Sequence, residues 1–458
     1  MTVKTNLRLT EEQWTKLRRL LFSGDGREMA VLCLCGTRFD ADRQIYCVHE
    51  IVEIPLDTCI QRKPNAVRWN VQALLPVLER ALKRRLWVFK IHSHPENSAR
   101  FSAQDDETDI ALGNGVEQIL GRSPGILSAF MLPDGKIYGR LVDSTGFTSI
   151  DQVVVLGDTV GFMHRESAGV ADEAYLRTRQ AFGDGTTNLV RSLSVGVAGC
   201  SGTGSWVVEM LGRLGVGRLV LVDPDSIERK NLNRIVDSSL KDLGRPKVEV
   251  LADAVRAVGL VAKVETYAQD LAHTDVVKAL AGCDFLFGCM DSADGRETLN
   301  RIASFYLIPY IDVGVRLDAD GRGSVEQICC AVHYLMPGGS SLLSRGVITP
   351  EQVQAQALCR THPEQYASLR KEGYIKGISV DRPAVISING FIATHAVNEM
   401  LARLHPFRRD PNNEFRYQVF SLPDGAWLRL ADGPSCKLLG RYVGRGDAQP
   451  LLGNPSLS

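Results

Sequence analysis

Two histidines, a serine and an aspartate stand close together in the stretch KIHSHPENSARFSAQDD. His92 and His94 lie two positions apart at the end of an apolar run, LWVFKI, that is typical of a buried β-strand. Because side chains two apart in a strand point to the same face, both imidazoles can be directed at one point. Ser102 and Asp105 then form an S-x-x-D pattern, which begins a helix and brings Asp105 into its first turn.

This set of side chains predicts a zinc site. Two histidines and one carboxylate leave a fourth zinc position open to water, as in catalytic zinc sites. Such a water loses its proton near pH 7, which supplies a nucleophile for amide hydrolysis. The alternative is a helix cap that follows two solvent-exposed histidines without a metal, which would have the same sequence pattern. The complete pattern, with seven residues between His94 and Ser102, favours the metal.

A second group of residues has the spacing of a nucleotide site. The stretch LSVGVAGCSGTGS predicts a buried strand, a glycine loop containing Gly199, Gly202 and Gly204, and the start of a helix. A helix N-terminus of this kind suits a phosphate group, although nicotinamide and flavin enzymes use similar loops. Asp223 ends the next predicted strand, at the position that usually accepts a ribose hydroxyl in either class of enzyme.

The charged residues that follow favour ATP over a nicotinamide. VDPDSIERKNLNR contributes Asp225, Asn231 and Arg234, and Lys247 follows in GRPKVEV. Cations offset the charge that builds up on phosphates during transfer, and a carboxylate can hold magnesium. Asp291 comes directly after another predicted strand, in CMDSADGRETLN. We therefore predict a site for ATP and Mg²⁺.

Length and composition limit the class of protein. The 458 residues predict two or three domains, and a hydrophobic fraction of 44% is that of a globular protein. Lys+Arg and Asp+Glu both number 53, so neither nucleic acid nor a membrane is predicted as a partner. The cysteine count of 11 is odd and indicates reduced thiols. Since neither a signal peptide nor a long apolar run is found, we expect a cytoplasmic protein.

The elements that must position these residues predict an α/β fold with two main domains. Residues 1–160 form the first domain, in which strands and helices alternate. Residues 161–172 lose periodicity and are predicted as a linker. From 173 to 405, strand and helix signals alternate as in a doubly wound, Rossmann-like parallel sheet. Residues 406–458 are predicted as an appended, strand-rich C-terminal extension.

The HSHP stretch and the S-A-Q-D that follows it resemble the signature of the JAMM (MPN/Mov34) metallopeptidases. The resemblance covers residues 1–160 and implies one catalytic Zn²⁺ and cleavage after the C-terminal glycine of a ubiquitin-like protein. It also implies the individual roles: zinc ligands His92, His94 and Asp105, oxyanion donor Ser102 and general base Glu28. Glu50 and Glu53 are less well placed alternatives for the base.

Five separated motifs resemble the ThiF/MoeB and ubiquitin-activating family: YLRTRQAFG, GCSGTGS, LVDPDSIERKNLNR, GRPK and CMDSADGRETLN. That family uses ATP to adenylate the C-terminal glycine of ubiquitin-like proteins. The resemblance implies that Asp223 binds the ribose and that Asp291 supports magnesium. It also implies contacts of Asn231, Arg234 and Lys247 with the phosphates.

The same resemblance bears on assembly and on structural zinc. Arg177, in the YxR position of the first motif, would reach into the site of a neighbouring protomer, which implies a homodimer. The sequence departs from the family at Ser201, where glycine is usual, and at Ile235, where glutamine is usual. Many members bind a structural zinc with two CxxC pairs, but residues 341–344 are SLLS and the chain contains no CxxC. We therefore expect no structural zinc here.

Activating enzymes often pass the adenylated glycine to a cysteine thiol, which must be exposed to react. Cys359 lies in a polar segment beside Arg360 and His362, in the region where the family's reactive cysteine tends to lie. We predict Cys359 for this role and name Cys436 as the second candidate. A surface cysteine without a function is the alternative.

Together these patterns predict a bifunctional enzyme of a ubiquitin-like pathway, and the domain fusion suggests a bacterial source. One half would cleave after the C-terminal glycine of a ubiquitin-like partner, and the other would activate that glycine with ATP. A conjugating enzyme is a further expected partner. Two alternatives stay open: a sulfur-carrier protein as the partner, with a thiocarboxylate as the product, or a scaffold in which one half is inactive.

Overall fold

The computed structural model describes residues 3–123, 125–164, 172–371 and 383–457. The chain forms two compact units. The first consists of Met1–Glu166, Phe305–Leu307 and Tyr442–Gly453, and the second of Ser167–Ser304, Ile308–Arg441 and Asn454–Ser458. The domain boundaries given above stay a prediction.

The first unit is built on a mixed sheet. Its strands are β1 (Lys4–Thr10), β2 (Ala30–Phe39), β3 (Arg43–Val52), β4 (Cys59–Lys63), β5 (Ala66–Trp69), β6 (Trp87–Ser93), β7 (Ile126–Met131), β8 (Ile137–Asp143), β9 (Gly146–Ser149), β10 (Gln152–Leu156) and β11 (Val160–Met163). The α-helices that accompany them are α1 (Glu11–Leu21), α2 (Leu75–Arg84) and α3 (Ala103–Leu120).

Nine of these strands form one sheet in the order β11-β10-β1-β3-β2-β6-β7-β8-β9, while β4 and β5 form a separate hairpin. β6 runs antiparallel to β2 and parallel to β7 near the centre of the sheet. Phe89 and Ile91 belong to one buried apolar cluster and Val88 belongs to a second. Because side chains alternate along a strand, Lys90 and His92 point to the same face as Val88.

Ser102 explains where α3 begins. Its hydroxyl accepts a hydrogen bond from the Asp105 amide (3.1 Å), and the Ser102 amide donates to the Asp105 carboxylate (2.8 Å). These reciprocal bonds are a capping box, which satisfies amides that have no partner within the helix. The helix start predicted from S-x-x-D is confirmed.

The second unit has a parallel α/β core. Its strands are β12 (Ser194–Ala198), β13 (Arg218–Val222), β14 (Lys263–Tyr267), β15 (Phe285–Gly288), β16 (Tyr310–Ala319), β17 (Val325–Leu335), β18 (Tyr417–Ser421) and β19 (Ala426–Arg429). Its α-helices are α4 (Leu176–Ser192), α5 (Gly202–Leu214), α6 (Lys247–Val258), α7 (Thr274–Ala281), α8 (Ala293–Tyr306), α9 (Pro350–Thr361), α10 (Pro363–Lys371), α11 (Ile386–Leu404) and α12 (Lys437–Gly440).

The strands of the second unit form one sheet in the order β14-β13-β12-β15-β16-β17-β18-β19. The pairs from β14 to β16 are parallel, and β17, β18 and β19 add antiparallel strands. The chain progresses outward in opposite directions from β12 and β15, so a crevice is expected at the carboxyl ends of these strands. The predicted α/β class and Rossmann-like parallel sheet are confirmed. None of the helices in the described part of the chain has the length and apolar character needed to cross a bilayer.

Two predicted segments differ from the structure. β11 pairs with β10 as far as Met163, so the first residues of the predicted 161–172 linker are a strand; residues 165–171 lie outside the described residues. In the predicted 406–458 extension, β18 pairs with β17 and continues the sheet of the second unit, because the exposed edge of β17 needs a hydrogen-bonding partner. The strands predicted at the C-terminus are present as β18 and β19, and the described residues after 430 form α12 and short 3-10 turns.

Candidate active sites of the two units

The first site lies where β6 ends. His92 and His94 are both buried there. The Ser93 amide donates to the carbonyl of Met29 (2.8 Å), and the Met29 amide donates to the Ser93 hydroxyl (2.9 Å). These bonds hold the chain just before β2 against the end of β6, which brings Glu28 beside the two histidines.

Donor atoms of four side chains converge at this point. The Nε2 atoms of His92 and His94 lie 3.0 Å apart. Asp105 Oδ1 lies 3.1 Å from Nε2 of His92, and Asp105 Oδ2 lies 3.7 Å from Nε2 of His94. One donor atom each of Glu28, His92 and His94 lie within 4.8 Å of one another, and they are the one such group of three potential metal ligands among the residues that the structure describes.

The spacing of the two imidazole nitrogens and one Asp105 oxygen can be compared with that of a tetrahedral zinc site. Zinc–nitrogen and zinc–oxygen bonds of about 2.0–2.1 Å at tetrahedral angles separate neighbouring donor atoms by about 3.3 Å. The two imidazole nitrogens are 3.0 Å apart and Oδ1 of Asp105 is 3.1 Å from that of His92, both slightly below this value, whereas the 3.7 Å contact with His94 is made by the other oxygen of Asp105. His94 Nδ1 faces the carbonyl of Ser98 at 2.7 Å, which leaves Nε2 for a metal. The ring of Phe130 stacks on His94 at 4.1 Å and so fixes the plane of the imidazole.

Burial and mutual contacts shift the pKa values of these groups. Burial raises the pKa of Glu28 to about 7, so this carboxyl group can accept and release a proton near neutral pH. Burial lowers the pKa of His92, which keeps its imidazole neutral and able to bind a metal. Burial alone would raise the pKa of Asp105, but hydrogen bonds from His92 and His94 hold it well below its usual range.

The other residues predicted for the first site separate into two groups. Ser102 is exposed, and its hydroxyl donates to Oδ2 of Asp105 at 2.7 Å, so it borders the site. Glu50 and Glu53 form ion pairs with basic side chains at 3.0 and 3.3 Å. Glu28 is therefore the one of the three glutamates that the fold brings to the histidines.

The second site is a cavity of about 820 Å³ in the second unit. The glycine loop between β12 and α5 forms part of its wall. Gly199 has a φ of +88°, which favours glycine. A Cβ atom would lie 1.7 Å from the Gly199 carbonyl oxygen if added at Gly204, and 2.2 Å from the Asn389 amide nitrogen if added at Gly202. The close packing of this loop therefore depends on all three glycines.

Asp223 is held rigidly at the end of β13. Its carboxylate accepts hydrogen bonds from the amides of Cys200 (2.7 Å) and Asp225 (2.9 Å). Nζ of Lys247 lies 2.7 Å from Oδ2 of Asp225 and 3.5 Å from Oδ1 of Asp223. Burial raises the pKa of Asp223, although the positive charge of Lys247 opposes that shift. A cation and two carboxylates are thus fixed beside the glycine loop.

Most of the residues predicted for the second site share the wall of this cavity. They are Gly199, Gly202, Asp223, Asp225, Asn231, Arg234, Lys247 and Asp291. Ser201, one of the two departures from the family pattern, also lines the cavity, and its φ of −95° suits any residue. Ile235, the other departure, is buried in the protein interior.

Arg177 and the two candidate cysteines lie elsewhere. Arg177 is exposed on α4 and donates to the side chain of Gln180 at 3.1 Å, and its role in a second protomer stays a prediction. Cys359 is exposed on α9, next to Arg360, which lines the cavity. Cys436 is buried, which disfavours it as the reactive thiol relative to the exposed Cys359, and the assignment of the thiol stays a prediction.

Serines occupy the position at which many family members would have a CxxC pair. The Ser341 amide donates to the Ser344 hydroxyl (2.9 Å), and the Ser344 amide donates to the Ser341 hydroxyl (3.1 Å). The turn is thus closed by hydrogen bonds between its own residues. The expectation of no structural zinc stays a prediction.

Two residues of the cavity wall were missed by the sequence reasoning. Asn389, on α11, is buried and accepts a hydrogen bond from Thr203 at 3.3 Å. Asn389 is a polar residue within the apolar stretch ISINGFIATH. Because a buried side-chain amide needs a polar partner, its presence there could have indicated a polar site. Arg296 forms a bidentate pair with the buried Asp312 at 2.7 and 3.0 Å. No local sequence pattern predicts the pairing of Arg296 with Asp312.

A parallel sheet with a glycine loop and a polar cavity at the ends of its strands defines the second unit as a nucleotide-binding α/β protein. The chain belongs to the ThiF family, which matches residues 175–437, more than half of its length. Residues 10–132 match the prokaryotic homologs of the JAB domain. Both resemblances found in the sequence are thereby confirmed. Membership of the ThiF family implies ATP and Mg²⁺, and the carboxylates of the cavity wall are ligands that Mg²⁺ prefers.

Three curated relatives show how similar this chain is to known proteins. The tRNA threonylcarbamoyladenosine dehydratase of Bacillus subtilis (strain 168) is 26% identical over 218 residues, which are 45% of this chain and 72% of that protein. The SAMP-activating enzyme E1 of Haloferax volcanii is 35% identical over 128 residues, or 28% of this chain and 47% of that protein. The adenylyltransferase and sulfurtransferase MOCS3 of Arabidopsis thaliana is 29% identical over 142 residues, or 31% of this chain and 30% of that protein. The chain thus spans less than half of two of these relatives.

Proposed function

We propose that the second unit uses ATP to adenylate the C-terminal carboxylate of a ubiquitin-like or sulfur-carrier protein, and that the first unit is a zinc-dependent peptidase acting on proteins of the same kind. The observation that carries the proposal is the cavity in which the glycine loop, Asp223, Lys247 and Asp291 share one wall. Loop, carboxylates and cations are the groups that ATP and its magnesium require.

In the adenylation step, a carboxylate oxygen of the carrier attacks the α-phosphorus of ATP, and pyrophosphate leaves. A phosphorus–oxygen bond forms to the carboxylate while the bond to the bridging oxygen breaks, so the products are an acyl adenylate and pyrophosphate. Arg234 and Lys247 would offset the charge on the leaving phosphates, Lys247 by exchanging Asp225 for a phosphate oxygen. Asn231 would donate to a phosphate, and Asp291 would hold magnesium.

In the first unit, His92, His94 and Asp105 would hold the zinc. When zinc is bound there, it supplies Lewis acidity toward a peptide carbonyl and toward water. Glu28, with a pKa of about 7, would take a proton from water and pass it to the departing amine. Ser102 would turn its hydroxyl from Asp105 to the carbonyl oxygen of the bond that is cut.

The names of two relatives support the choice of partner, since one is a SAMP-activating enzyme E1 and another an adenylyltransferase and sulfurtransferase. The name of the Bacillus subtilis relative indicates a tRNA substrate for that protein. For this chain, equal numbers of basic and acidic residues, 53 of each, disfavour a polyanionic partner. A thioester on Cys359, transfer to a conjugating enzyme and a homodimer that shares Arg177 belong to the same proposal.

ATP–pyrophosphate exchange tests the adenylation. Exchange is expected to depend on a carrier protein ending in glycine and to fall about 100-fold in Asp291→Ala, because an electrostatic group of the transition state is lost. Asp253→Ala is the matched control, since Asp253 is an acid of the same unit that pairs with Arg245 and Arg256 outside the cavity wall. Full exchange in Asp291→Ala would rule out the role of Asp291, and exchange without a carrier would argue against a protein substrate.

A Glu28→Gln variant tests the peptidase. It should keep the zinc ligands and bind substrate without cutting it, so a small protein should copurify from the native cells. Mass spectrometry should show a glycine-terminated tail that still carries an extension or is joined to a target, enriched over wild-type protein. If nothing small is enriched, the interpretation of the first unit as an inactive scaffold gains support.

A further inference from the structure

A cluster of four charged side chains lies beside the candidate zinc site in the first unit. Lys90, Asp109 and Arg140 are buried, with exposed fractions of 5, 0 and 6%, and Asp106 lies at the edge. They come from three elements: Lys90 from β6, Arg140 from β8, and the two aspartates from α3. None of them is a predicted ligand, base or oxyanion donor.

The cluster is connected by close hydrogen bonds. Nζ of Lys90 donates to Oδ1 of Asp109 at 2.6 Å. Arg140 donates to Oδ2 of Asp109 through NH2 at 2.7 Å and through Nε at 3.2 Å. Its NH1 donates to Oδ1 of Asp106 at 2.5 Å. Two cations therefore face two carboxylates, and the carboxylate of Asp109 is the shared acceptor.

This cluster repeats the contact between strand and helix that the site itself makes. Lys90 and His92 are two apart on β6 and share a face, and Asp105 and Asp109 are four apart on α3 and also share a face. The contact of His92 with Asp105 (3.1 Å) and that of Lys90 with Asp109 (2.6 Å) thus join the same strand to the same helix, one helical turn apart.

Arg140 holds the cluster in place from the third element. The carbon at the centre of its guanidinium group lies 3.7 Å from the ring centre of Phe101 and 3.8 Å from that of Phe147. Phe101 directly precedes Ser102, the residue that caps α3. The guanidinium group therefore contacts the start of α3 through an aromatic ring as well as through its aspartates.

Stability alone does not account for such a cluster. Removing charges from water is costly, and buried ion pairs can often be replaced by apolar residues without loss of stability. What a buried ion pair provides and apolar packing does not is a fixed geometry. The observation that needs explaining is that this geometry links the two elements that carry His92 and Asp105.

We propose that Asp109 is a positioning residue. Held by hydrogen bonds from Lys90 and Arg140, it keeps Asp105 at the distance from the two histidines that zinc binding requires. It thereby sets the affinity of the first unit for zinc. This inference rests on the zinc site of the proposed function. Asp109 does not contact the metal, and it acts only through the orientation of α3.

The test compares zinc binding by the full-length wild-type protein and by Asp109→Asn. Asparagine keeps the shape of the side chain but removes the charge that both cations require. Competition with a chromophoric chelator should show zinc affinity weakened about tenfold or more. The visible absorption of Co²⁺-loaded protein should change as well, because the geometry of the ligands changes.

Val116→Ala is the matched control. Val116 lies on the same helix and is buried in the apolar cluster, so its truncation should lower the unfolding temperature of the metal-free protein. It should leave zinc affinity and the Co²⁺ spectrum unchanged. Equal losses of affinity in both variants would overturn the proposal, because the cluster would then act only through the stability of the unit.

The remaining outcomes are also decisive. If wild-type protein binds zinc and Asp109→Asn binds it equally well, the positioning role is wrong while the metal site stands. If wild-type protein binds no zinc, the proposed peptidase fails and this inference fails with it. Should Asp109→Asn not fold, Arg140→Lys, which keeps the charge but loses the bidentate grip, is expected to weaken zinc binding in the same assays, and unchanged binding would reject the role.

Discussion

Glu28 combines two properties at the scale of a single residue: it is buried, and its carboxyl group lies beside two histidines. Burial raises its pKa from the ordinary value of 4.5 to about 7. A group whose pKa is higher in the folded state favours folding at low pH, and that contribution is lost as the pH rises from 4.5 to about 7. The negative charge that lets Glu28 act as a general base therefore lowers the stability of the metal-free first unit.

We predict that metal-free Glu28→Gln protein is more stable than wild type above about pH 7, because glutamine carries no charge to bury. The gain, measured as a rise of a few degrees in the unfolding temperature of the first unit, should shrink below pH 7 and be absent below pH 4.5. Glu53→Gln, at an exposed glutamate, is the control and should not raise the unfolding temperature above pH 7. A gain that is equal at all pH values would contradict the buried-charge explanation.

Cys359 is the exposed thiol next to a residue of the cavity wall. We predict that Cys359→Ala abolishes a reductant-sensitive adduct with the carrier, seen on non-reducing gels, and leaves ATP–pyrophosphate exchange unchanged. The reason is that thioester formation follows adenylation and needs a thiol, whereas exchange does not. Loss of both activities would indicate misfolding, and a persistent adduct would show that another cysteine reacts.

At the scale of an element, the glycine loop before α5 depends on the lack of side chains. A Cβ at Gly204 would lie 1.7 Å from the carbonyl oxygen of Gly199, so Gly204→Ala must displace the loop. We predict that this change lowers ATP–pyrophosphate exchange about 100-fold, because a displacement of about 1 Å is enough to misplace a reacting group.

Gly185→Ala provides the control for that prediction. Gly185 is exposed on α4 and has open space around its Cβ position. An alanine side chain has room there and should leave exchange unchanged. If Gly204→Ala exchanges as fast as Gly185→Ala, the loop does not bind the nucleotide as proposed.

At the scale of the whole molecule, the segment Tyr442–Gly453 belongs to the first unit although it lies near the other end of the sequence. The Gly36 amide donates to the carbonyl of Gly444 at 3.1 Å, and the Asp447 amide donates to the carbonyl of Thr37 at 2.7 Å. The segment therefore provides main-chain partners for β2, the strand that pairs with β6.

We predict that a chain ending at Arg441 has a less stable first unit. Each buried main-chain group left without a partner costs about 1–3 kcal/mol. Thermal unfolding and hydrogen exchange of the Gly36 amide should both report the loss. A chain ending at Gly453 keeps these bonds and is expected to behave like the full chain, so equal losses in both truncations would contradict the role assigned to residues 442–453.

Patterns that depend on near neighbours were predictable from the sequence. His92 and His94 point in the same direction because every second side chain of a strand lies on the same face. The position of Asp105 in the first turn of α3 was predictable from the helix cap at Ser102. Gly199 and Asp223 follow from the succession of strand, loop and helix in a βαβ unit. In each case the relevant partner lies in the same element or the one beside it.

Only the tertiary structure decided the rest. It brought Glu28, which the family resemblance had implied, into contact range of the two histidines, placed Cys436 in the interior, and joined Lys90, Asp109 and Arg140 beside the candidate zinc ligands. The sequence therefore determined the kind of chemistry and the local ligand pairs. Which distant residues complete each site was decided by packing, because burial and contact between separate elements follow from the whole fold and leave no local pattern.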